Sequence, residues 1–376
     1  MNRVQLHFTM LLALALTLIL FGACKPQTKN EGFIVLFTSP DSQLIRAGQK
    51  STLKRGQLVQ KNDSIQTGAG IVDLQSLHGS LVRIQAYSHV QLTSVGSTQR
   101  LNLEQGAMVA KIERQSAEET FEVSNPTLIA GVRGTTFKVS DKGVKVLDGK
   151  VAVKPRLKAL EKADEAAESP DKESLDPALA ELARQADASE QVLEAGQEAV
   201  SEPAVKTVQQ GPKSRSMTGA SKVVTIADPN GIPRIKVARS STDVRDLAEA
   251  ETLVGVEPAI LNDLAESQLP GGSAAAASNH NNPIPEELTE VLVKSYDEQR
   301  DVALDKLERD TLGKIEIKDD ADIRKHYEIV ESLHLHAGGA AIVGAVVAQA
   351  GDILVVHTPN GVKRLHVSDV NYIDYQ

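Results

Sequence analysis

The chain has 376 residues, is 41% apolar but only 3% aromatic, contains no Trp and carries a formal charge of −9. That length has room for roughly two or three domains, and the scarcity of large rings favours small β modules filled by Val, Ile and Leu. The acidic balance argues against a nucleic-acid partner, which calls for a basic face, and no run of like charge is long enough for a polyelectrolyte tail.

Met1–Thr9 contains Arg3 and no acid, and Met10–Phe21 is an almost unbroken run of Leu, Ala, Ile and Phe. About a dozen apolar residues fit the h-region of a signal peptide and fall short of the roughly 20 needed to span a bilayer as a helix. The run ends in Phe21-Gly22-Ala23-Cys24, which resembles the lipobox of bacterial lipoproteins, with Phe21 where that pattern ordinarily has Leu. Small residues let the chain enter a narrow peptidase site, and the cysteine sulfur then takes the lipid. Cys24 is the only cysteine, and a lone thiol in an exported chain needs a reason. The expectation is a lipoprotein signal peptide over residues 1–23, attachment to a lipid membrane through an acylated Cys24, and a polar tether over 24–32. The alternative is an ordinary secretory peptide followed by a free thiol. Lys25, where an inner-membrane retention signal would have Asp, points to the outer membrane, facing the periplasm or the surface.

From residue 33 to 154, short β-type runs are punctuated by turn residues: Gly68, Gly79, Gly106, Asn125-Pro126, Gly134, Gly143 and Asp148-Gly149. Apolar residues alternate at Val82, Ile84 and Ala86, at Met108, Ala110 and Ile112, and at Phe137 and Val139. Such a pattern describes an all-β module, a two-layer sandwich or a short solenoid, and alternation does not choose between them.

Several residues in this stretch carry a resemblance. They are Asp63, Thr67 and Gly68, then Gly79 and Ser88, then the Leu101–Gly106 run. After these come Phe121 and Val123, the signature Gly131-Val132-Arg133-Gly134-Thr135-Thr136-Phe137, and the closing Val144, Val146, Gly149 and Val151. Together they resemble the FecR domain of bacterial cell-envelope proteins. In that family the domain sits in the periplasmic part of anti-sigma regulators that relay signals from outer-membrane iron-siderophore receptors. This chain departs from the pattern: export begins at Met1, leaving no N-terminal domain to hold a sigma factor, and a lipobox replaces the spanning helix. Within the signature, Gly131 and Gly134 are expected to flank a tight turn that Arg133 braces through carbonyl contacts; the competing reading makes Arg133 an anion-binding residue.

Residues 155–221 turn rich in Ala, Glu, Lys and Gln, then in Pro, Gly and Ser, and read as a helical and disordered linker with a helix over about 178–198. Residues 222–240 read as a β-hairpin around Asp228-Pro229-Asn230-Gly231. A helical segment over 241–268 is broken near Gly255–Pro258, a flexible joint covers 269–285, and 286–328 is again helical. Residues 329–376 return to short strands with Gly344 in mid-strand and an Asn360-Gly361 turn, the pattern of a small SH3-like β-barrel. The fold class is thus mainly β with helical connectors.

No G-x-S-x-G, P-loop or G-x-G-x-x-G motif is present, and the one cysteine belongs to the lipobox. His334-Leu335-His336 has ligand spacing, since alternate strand residues share a face, but no Asp or Glu stands at a third-ligand position. His357, across the Asn360-Gly361 turn, is expected to face Arg364 rather than His366. No catalytic residue, metal site or cofactor is therefore assigned. The sequence points to a non-enzymatic, membrane-anchored envelope protein acting as an interaction or structural platform for an unidentified envelope protein. The alternatives are a FecR-type regulator in transmembrane signalling and a metal-binding protein using His334 and His336.

Overall fold

The computed structural model describes residues 31–113, 119–132, 134–157, 177–202, 205–210, 222–227, 232–240, 243–268 and 284–375. The signal peptide, Cys24 and most of the tether lie outside that set, as do residues 158–176 and 269–283.

Two nine-stranded sheets face each other. In hydrogen-bonded order the first runs Leu58–Val59, Phe33–Thr38, Val72–Ser76, Leu81–Ile84, Ala107–Ile112, Thr135–Ser140, Gly143–Asp148, Gln197–Glu202 and Arg234–Arg239. The second runs Gln49–Thr52, Gln43–Arg46, Ser64–Gln66, His89–Val95, Thr98–Gln105, Thr120–Ser124, Leu128–Val132, Lys150–Pro155 and Gln191–Glu194. The chain crosses repeatedly between the layers, so the sandwich grows nearly in sequence order from one end to the other. Every neighbouring pair in the two sheets is antiparallel except Thr98–Gln105 with Thr120–Ser124, which are parallel. The choice left open by alternation resolves as a two-layer sandwich. Its core interleaves Phe33, Val82, Met108 and Phe137 from the first sheet with Leu92, Leu101, Phe121 and Val151 from the second.

The second sheet shows the alternation of a half-buried sheet, buried and part-exposed residues taking turns along Thr120–Ser124 and Leu128–Val132. The first does not. Val72–Ser76 and Leu81–Ile84 are buried at every position, because helices cover the outer face. Helices α2 (Val244–Glu251), α3 (Pro258–Gln268) and α4 (Glu286–Asp310) form that cover; α1 is Pro177–Ala188 and α5 is Asp320–Tyr327. Ile34, Leu36, Leu81 and Val109 on the sheet pack against Leu253, Leu261, Leu264 and Leu292 beneath the helices.

Polar contacts fix the register of this layer. The Arg83 guanidinium donates to both Asp73 carboxylate oxygens at 2.7 and 2.8 Å, and to Thr252 Oγ1 at 2.9 Å and the Thr252 carbonyl at 3.1 Å. Tyr296 of α4 donates its hydroxyl to Asp73 Oδ2 at 2.7 Å. Two glutamine side chains stand in for missing backbone partners. Gln75 takes the Val256 N–H at 2.8 Å and donates to its carbonyl at 3.1 Å, while Gln268 does the same for Leu58 N–H and Gly56 O, both at 2.8 Å. Satisfying buried backbone groups in this way removes a penalty that would otherwise oppose docking.

The last five strands pair in the order Gly361–His366, Ile353–Thr358, Ile342–Ala350, Glu331–Leu335, Val370–Tyr375, with a 3₁₀ turn at Val367–Asp369 before the final strand. The small β module expected at this end is present, but hydrogen bonds do not join its two edge strands, so the barrel is not closed. Gly344 lies near the start of its strand, where an added Cβ would sit 2.6 Å from the His357 carbonyl. The module is clamped to α4: Arg300 reaches Asp352 at 2.6 Å, and Arg364 reaches Glu308 at 2.6 Å and Asp305 at 2.7 Å. Leu304 and Leu307 of α4, Ala248 of α2 and Tyr327 of α5 share a core with Ala345, Val347 and Val355 of the module.

Three expectations are corrected. The helix expected over about 178–198 ends at Ala188, and Gln191–Glu194 and Gln197–Glu202 are strands that extend the two sheets. Leu193 and Ala199 drive this by entering the sandwich core. The hairpin over 222–240 does not form. Lys222–Ala227 pairs with Val205–Gln210, while Arg234–Arg239 pairs with Gln197–Glu202, where Ile235 and Val237 pack on the core. The helical segments expected over 241–268 and 286–328 do not stand apart from the β modules: α2, α3 and α4 cover the first sheet, and α5 joins the core shared with the C-terminal module.

Residues 33–154 alone would present Ile34, Leu36, Leu81, Val109 and the Asp73–Arg83 pair to water. That fragment is expected to self-associate in size-exclusion chromatography and to bind a hydrophobic dye, whereas residues 31–376 should do neither. A monomeric, dye-free fragment would show that the helical layer is dispensable.

Candidate functional site

The residues of the FecR-like pattern build corners. Asp63 is 2% exposed and takes the Arg46 guanidinium through both oxygens, at 2.8 and 2.6 Å, and the Gln60 N–H at 2.7 Å. Thr67 donates to the Gln85 carbonyl at 2.6 Å and accepts from Ser88 N–H at 2.8 Å. Ser88 Oγ in turn bridges the Ala107 N–H and carbonyl at 3.0 and 3.1 Å. The following turn brings Gly106 so close that an added Cβ would lie 2.2 Å from Ser88 Oγ. These short polar side chains close hairpin ends that have no ladder partner.

The signature carries the chain from one sheet to the other. Gly131 and Val132 end a strand of the second sheet, and Thr135 opens the next strand of the first. Gly134 lies between them at φ +76°, a left-handed conformation that side chains resist. Phe137 is fully buried, edge-on to Phe121 with centroids 6.4 Å apart, and Thr135 Oγ1 donates to the Lys150 carbonyl at 2.9 Å. Gly131 is not part of the turn. It sits within the strand, paired to Glu122 and Ala152, and a Cβ there would meet only the Ala152 carbonyl at 4.0 Å. Arg133 lies outside the described residues.

Beside this crossing lies a small cleft open to solvent. Ile112, Phe121 and Val132 form its apolar floor, and Gln99, Glu113 and Glu119 supply its polar groups, with Gly134 at the edge. Phe121 is the register partner of both Gln99 and Val132, so one row of the second sheet makes most of the floor. Gln99 is 2% exposed, and its Oε1 is buried with no hydrogen-bond partner. A buried, unsatisfied carbonyl costs on the order of 1–3 kcal/mol. Glu113 is largely exposed, and Glu119 lies 3.4 Å from His78 Nδ1. The sequence reading did not single out Gln99. The available signal was a polar residue at the position of Thr98–Gln105 that shares the inward face with Leu101 and Leu103.

The histidines are dispersed. His334 stacks on Tyr372 with centroids 4.3 Å apart and meets Asp374 at 3.2 Å. The register slips between His334 and Leu335, which breaks the alternation that was to put His334 and His336 on one face. Among the described residues no group of three or more His, Cys, Asp or Glu is placed to hold a metal ion. His357 pairs across the hairpin with Val362, not Arg364, because the turn residues are Pro359-Asn360. Its ring is buried and its Nδ1 lies 2.6 Å from the Tyr327 hydroxyl.

The family model described as FecR protein matches residues 63–152, the middle of the sandwich. The chain therefore carries a FecR-type domain. No curated protein matches. Among solved structures, two crystal structures of a candidate anti-sigma factor from Parabacteroides distasonis are 14% identical to the chain with a TM-score of 0.29. They cover 49% of this chain and 62% and 63% of their own, so the chain spans less than two thirds of their length. Among the described residues no helix is long and apolar enough to cross a membrane.

Two outcomes are expected from this geometry. Gly134→Val should cost about 1–2 kcal/mol in chemical denaturation of the whole chain, the penalty of a side chain in the left-handed region. Gly131→Ala should stay within about 0.5 kcal/mol, since its Cβ enters open space. Equal costs at the two positions would remove the distinction between turn and strand. The second outcome concerns pH. Burial, helped by the charge of His326, lowers the His357 pKa below its ordinary 6.5. The unfolded chain then binds the proton more readily, so this contribution is fully present above 6.5 and is lost as pH falls through that value toward the lower folded one. Burial pushes the Glu331 carboxyl up, despite the Val346 N–H and nearby Arg245, and its contribution grows on acidification in the opposite sense. Stability measured between about pH 7.5 and 5.5 should fall more steeply for wild type than for His357→Gln. Parallel curves would remove His357 as the cause.

Proposed function

We propose that the protein is a non-enzymatic, membrane-anchored lipoprotein of the bacterial cell envelope whose FecR-type sandwich serves as a rigid binding platform for an envelope protein. The observation that carries the reading is the docking of everything described after the sandwich onto it. The helical layer is tied down through Asp73, Arg83, Tyr296, Gln75 and Gln268, and the C-terminal module through Arg300 and Arg364. A body held at so many points presents its surfaces in one arrangement, and binding then loses little conformational entropy. Cys24 carries the anchor, and the outer membrane is the favoured location. The match over residues 63–152 also supports a second reading. In it the same platform senses or transmits a signal across the envelope as a FecR-type regulator.

Two or more acyl chains, at about 0.8 kcal/mol per buried CH₂, give stable attachment where a single chain is marginal. In detergent phase partitioning the wild-type protein is expected in the detergent phase and Cys24→Ala in the aqueous phase. Equal partitioning would sink the lipoprotein reading. Crosslinking in intact cells then separates the two functions: a structural envelope protein favours the platform, and a receptor or a regulator favours signalling.

A further inference from the structure

A free strand edge pairs readily with another chain unless the fold blunts it, and most edges of this molecule are blunted. The backbone beside Leu58–Val59 is met by the Gln268 side chain. Arg234–Arg239 carries Arg234, Lys236 and Arg239, Gly361–His366 carries Lys363 and Arg364, and Gln49–Thr52 carries Lys50. Gln191–Glu194 is short and has Glu190 and Glu194 at its ends. The final strand, Val370–Tyr375, is different. It contains no Lys, Arg, Pro or Gly, and among the described residues no strand pairs with the edge it turns away from Glu331–Leu335. Tyr372 and Tyr375 stand on it 50% and 69% exposed. Tyrosine rings combine apolar area with a hydroxyl that seeks a partner, which suits them to interfaces.

The pairing of this strand with Glu331–Leu335 fixes which way its residues face. Ile373 is opposite the fully buried Leu333 and packs, partly buried, on the same small core. Tyr372 is opposite His334 and Asp374 opposite Ser332, on the other face. The register slips at Asn371, so regular pairing runs over Tyr372–Tyr375. Directly opposite residues of two antiparallel strands share a face, so two copies of this strand pair symmetrically only about a residue. An axis at Asp374 sets two carboxylates against each other, which is destabilising. An axis at Tyr372 carries the pairing through the irregular Asn371 and beyond. An axis at Ile373 avoids both. Tyr372 then faces Asp374 of the second copy on both sides of the axis, and Ile373 faces its own counterpart. The phenol is a donor, and the Asp374 carboxylate, 61% exposed and 3.2 Å from His334, is an acceptor. The inner row across the joint reads Leu333, Ile373, Ile373, Leu333, which extends the small core from one copy to the other. We infer that Val370–Tyr375 is a self-recognition edge through which two copies join their C-terminal modules into one sheet, five strands from each. Pairing over so few residues makes a contact well below the roughly 1,000 Å² of a stable interface. The pair therefore separates at the dilution of a sizing column and forms at high concentration or where copies are held side by side. Nothing in this contact depends on the lipid anchor or on an envelope partner.

The test uses the mature chain carrying Cys24→Ala, which has neither lipid nor thiol. In sedimentation equilibrium over a hundredfold concentration series, the mass should climb from one chain toward two. Tyr372→Asp places an acid opposite Asp374 in both pairs and should weaken association at least tenfold. Tyr372→Lys removes the same ring but places a cation there, and should preserve association. Position 372 is exposed, so both variants should keep the wild-type denaturation midpoint. The register is read by adding Tyr372→Cys to one sample and Asp374→Cys to another. Oxidised as an equal mixture at high concentration, they should form the mixed disulfide several-fold more than either disulfide between like chains. A mass that stays at one chain overturns the proposal, as does equal association of the Tyr372→Asp and Tyr372→Lys variants, which would place any dimer elsewhere. A majority of like-chain disulfides overturns the register and with it the assignment of this edge.

Discussion

A charge pair inside the molecule dictates the arrangement around it. Asp73 and Arg83 face each other on neighbouring strands of the first sheet, 0% and 1% exposed. Two ions removed from water are tolerated only when their remaining donors and acceptors are also met, and removing one partner typically costs about 3–5 kcal/mol. The sheet supplies the bidentate contact and nothing more. The rest comes from the Thr252 hydroxyl and carbonyl, the Glu249 carbonyl and the Tyr296 hydroxyl, all from the helical layer. Burial disfavours the charged guanidinium, but the adjacent Asp73 charge outweighs it and holds Arg83 protonated. Burial and the same carboxylate push the Tyr296 pKa well up, so the phenol keeps the proton it donates. The helical cover is therefore part of the condition under which this sheet folds.

The consequence passes along α4. Its buried residues, Leu292, Tyr296, Arg300, Ala303, Leu304 and Leu307, follow helical spacing, yet they serve different neighbours. Leu292 and Tyr296 close the sandwich-side core, Arg300 clamps Asp352, and Leu304 and Leu307 enter the core shared with the C-terminal module. An added Cβ at Gly351 would lie 3.2 Å from Tyr296 Cε1, so the module approaches the helix beside the charge pair. A shift of α4 along its axis would break the phenol contact and the arginine clamp together. One helix thus couples the position of the terminal module to the register of the sandwich.

An all-β module, a turn at Gly134, α4 and a small β module at the end were legible because their signals are local. They are alternation, turn glycines and 3.6-residue spacing. What lay beyond the sequence was long-range. Phe33–Phe37 is a continuous apolar run, the mark of a strand buried on both faces, but nothing nearby says what covers it. Asp73 and Arg83 occupy polar positions in alternating strands, where a solvated face is the ordinary reading. Gln75 and Gln268 mate with backbone about 180 and 210 residues away, and no local pattern announces such a bond. The strand Arg234–Arg239 carries a hairpin signal, yet it pairs with Gln197–Glu202 because Ile235 and Val237 have a core to cover there. Tertiary burial outweighed local turn preference.

The cleft follows from the same topology. Thr98–Gln105 and Thr120–Ser124 are parallel neighbours, and parallel strands need a crossover. Here the crossover is Ala107–Ile112 in the opposite sheet, so the chain returns to the second sheet between residues 113 and 119. It leaves that sheet again at Gly134, and Ile112 is the register partner of Thr135. Both passages therefore occur at one end of the sandwich, around the row formed by Gln99, Phe121 and Val132. On the same strand face Leu101 and Leu103 are sealed in the core, so the unsatisfied Gln99 amide oxygen is the polar exception of that face.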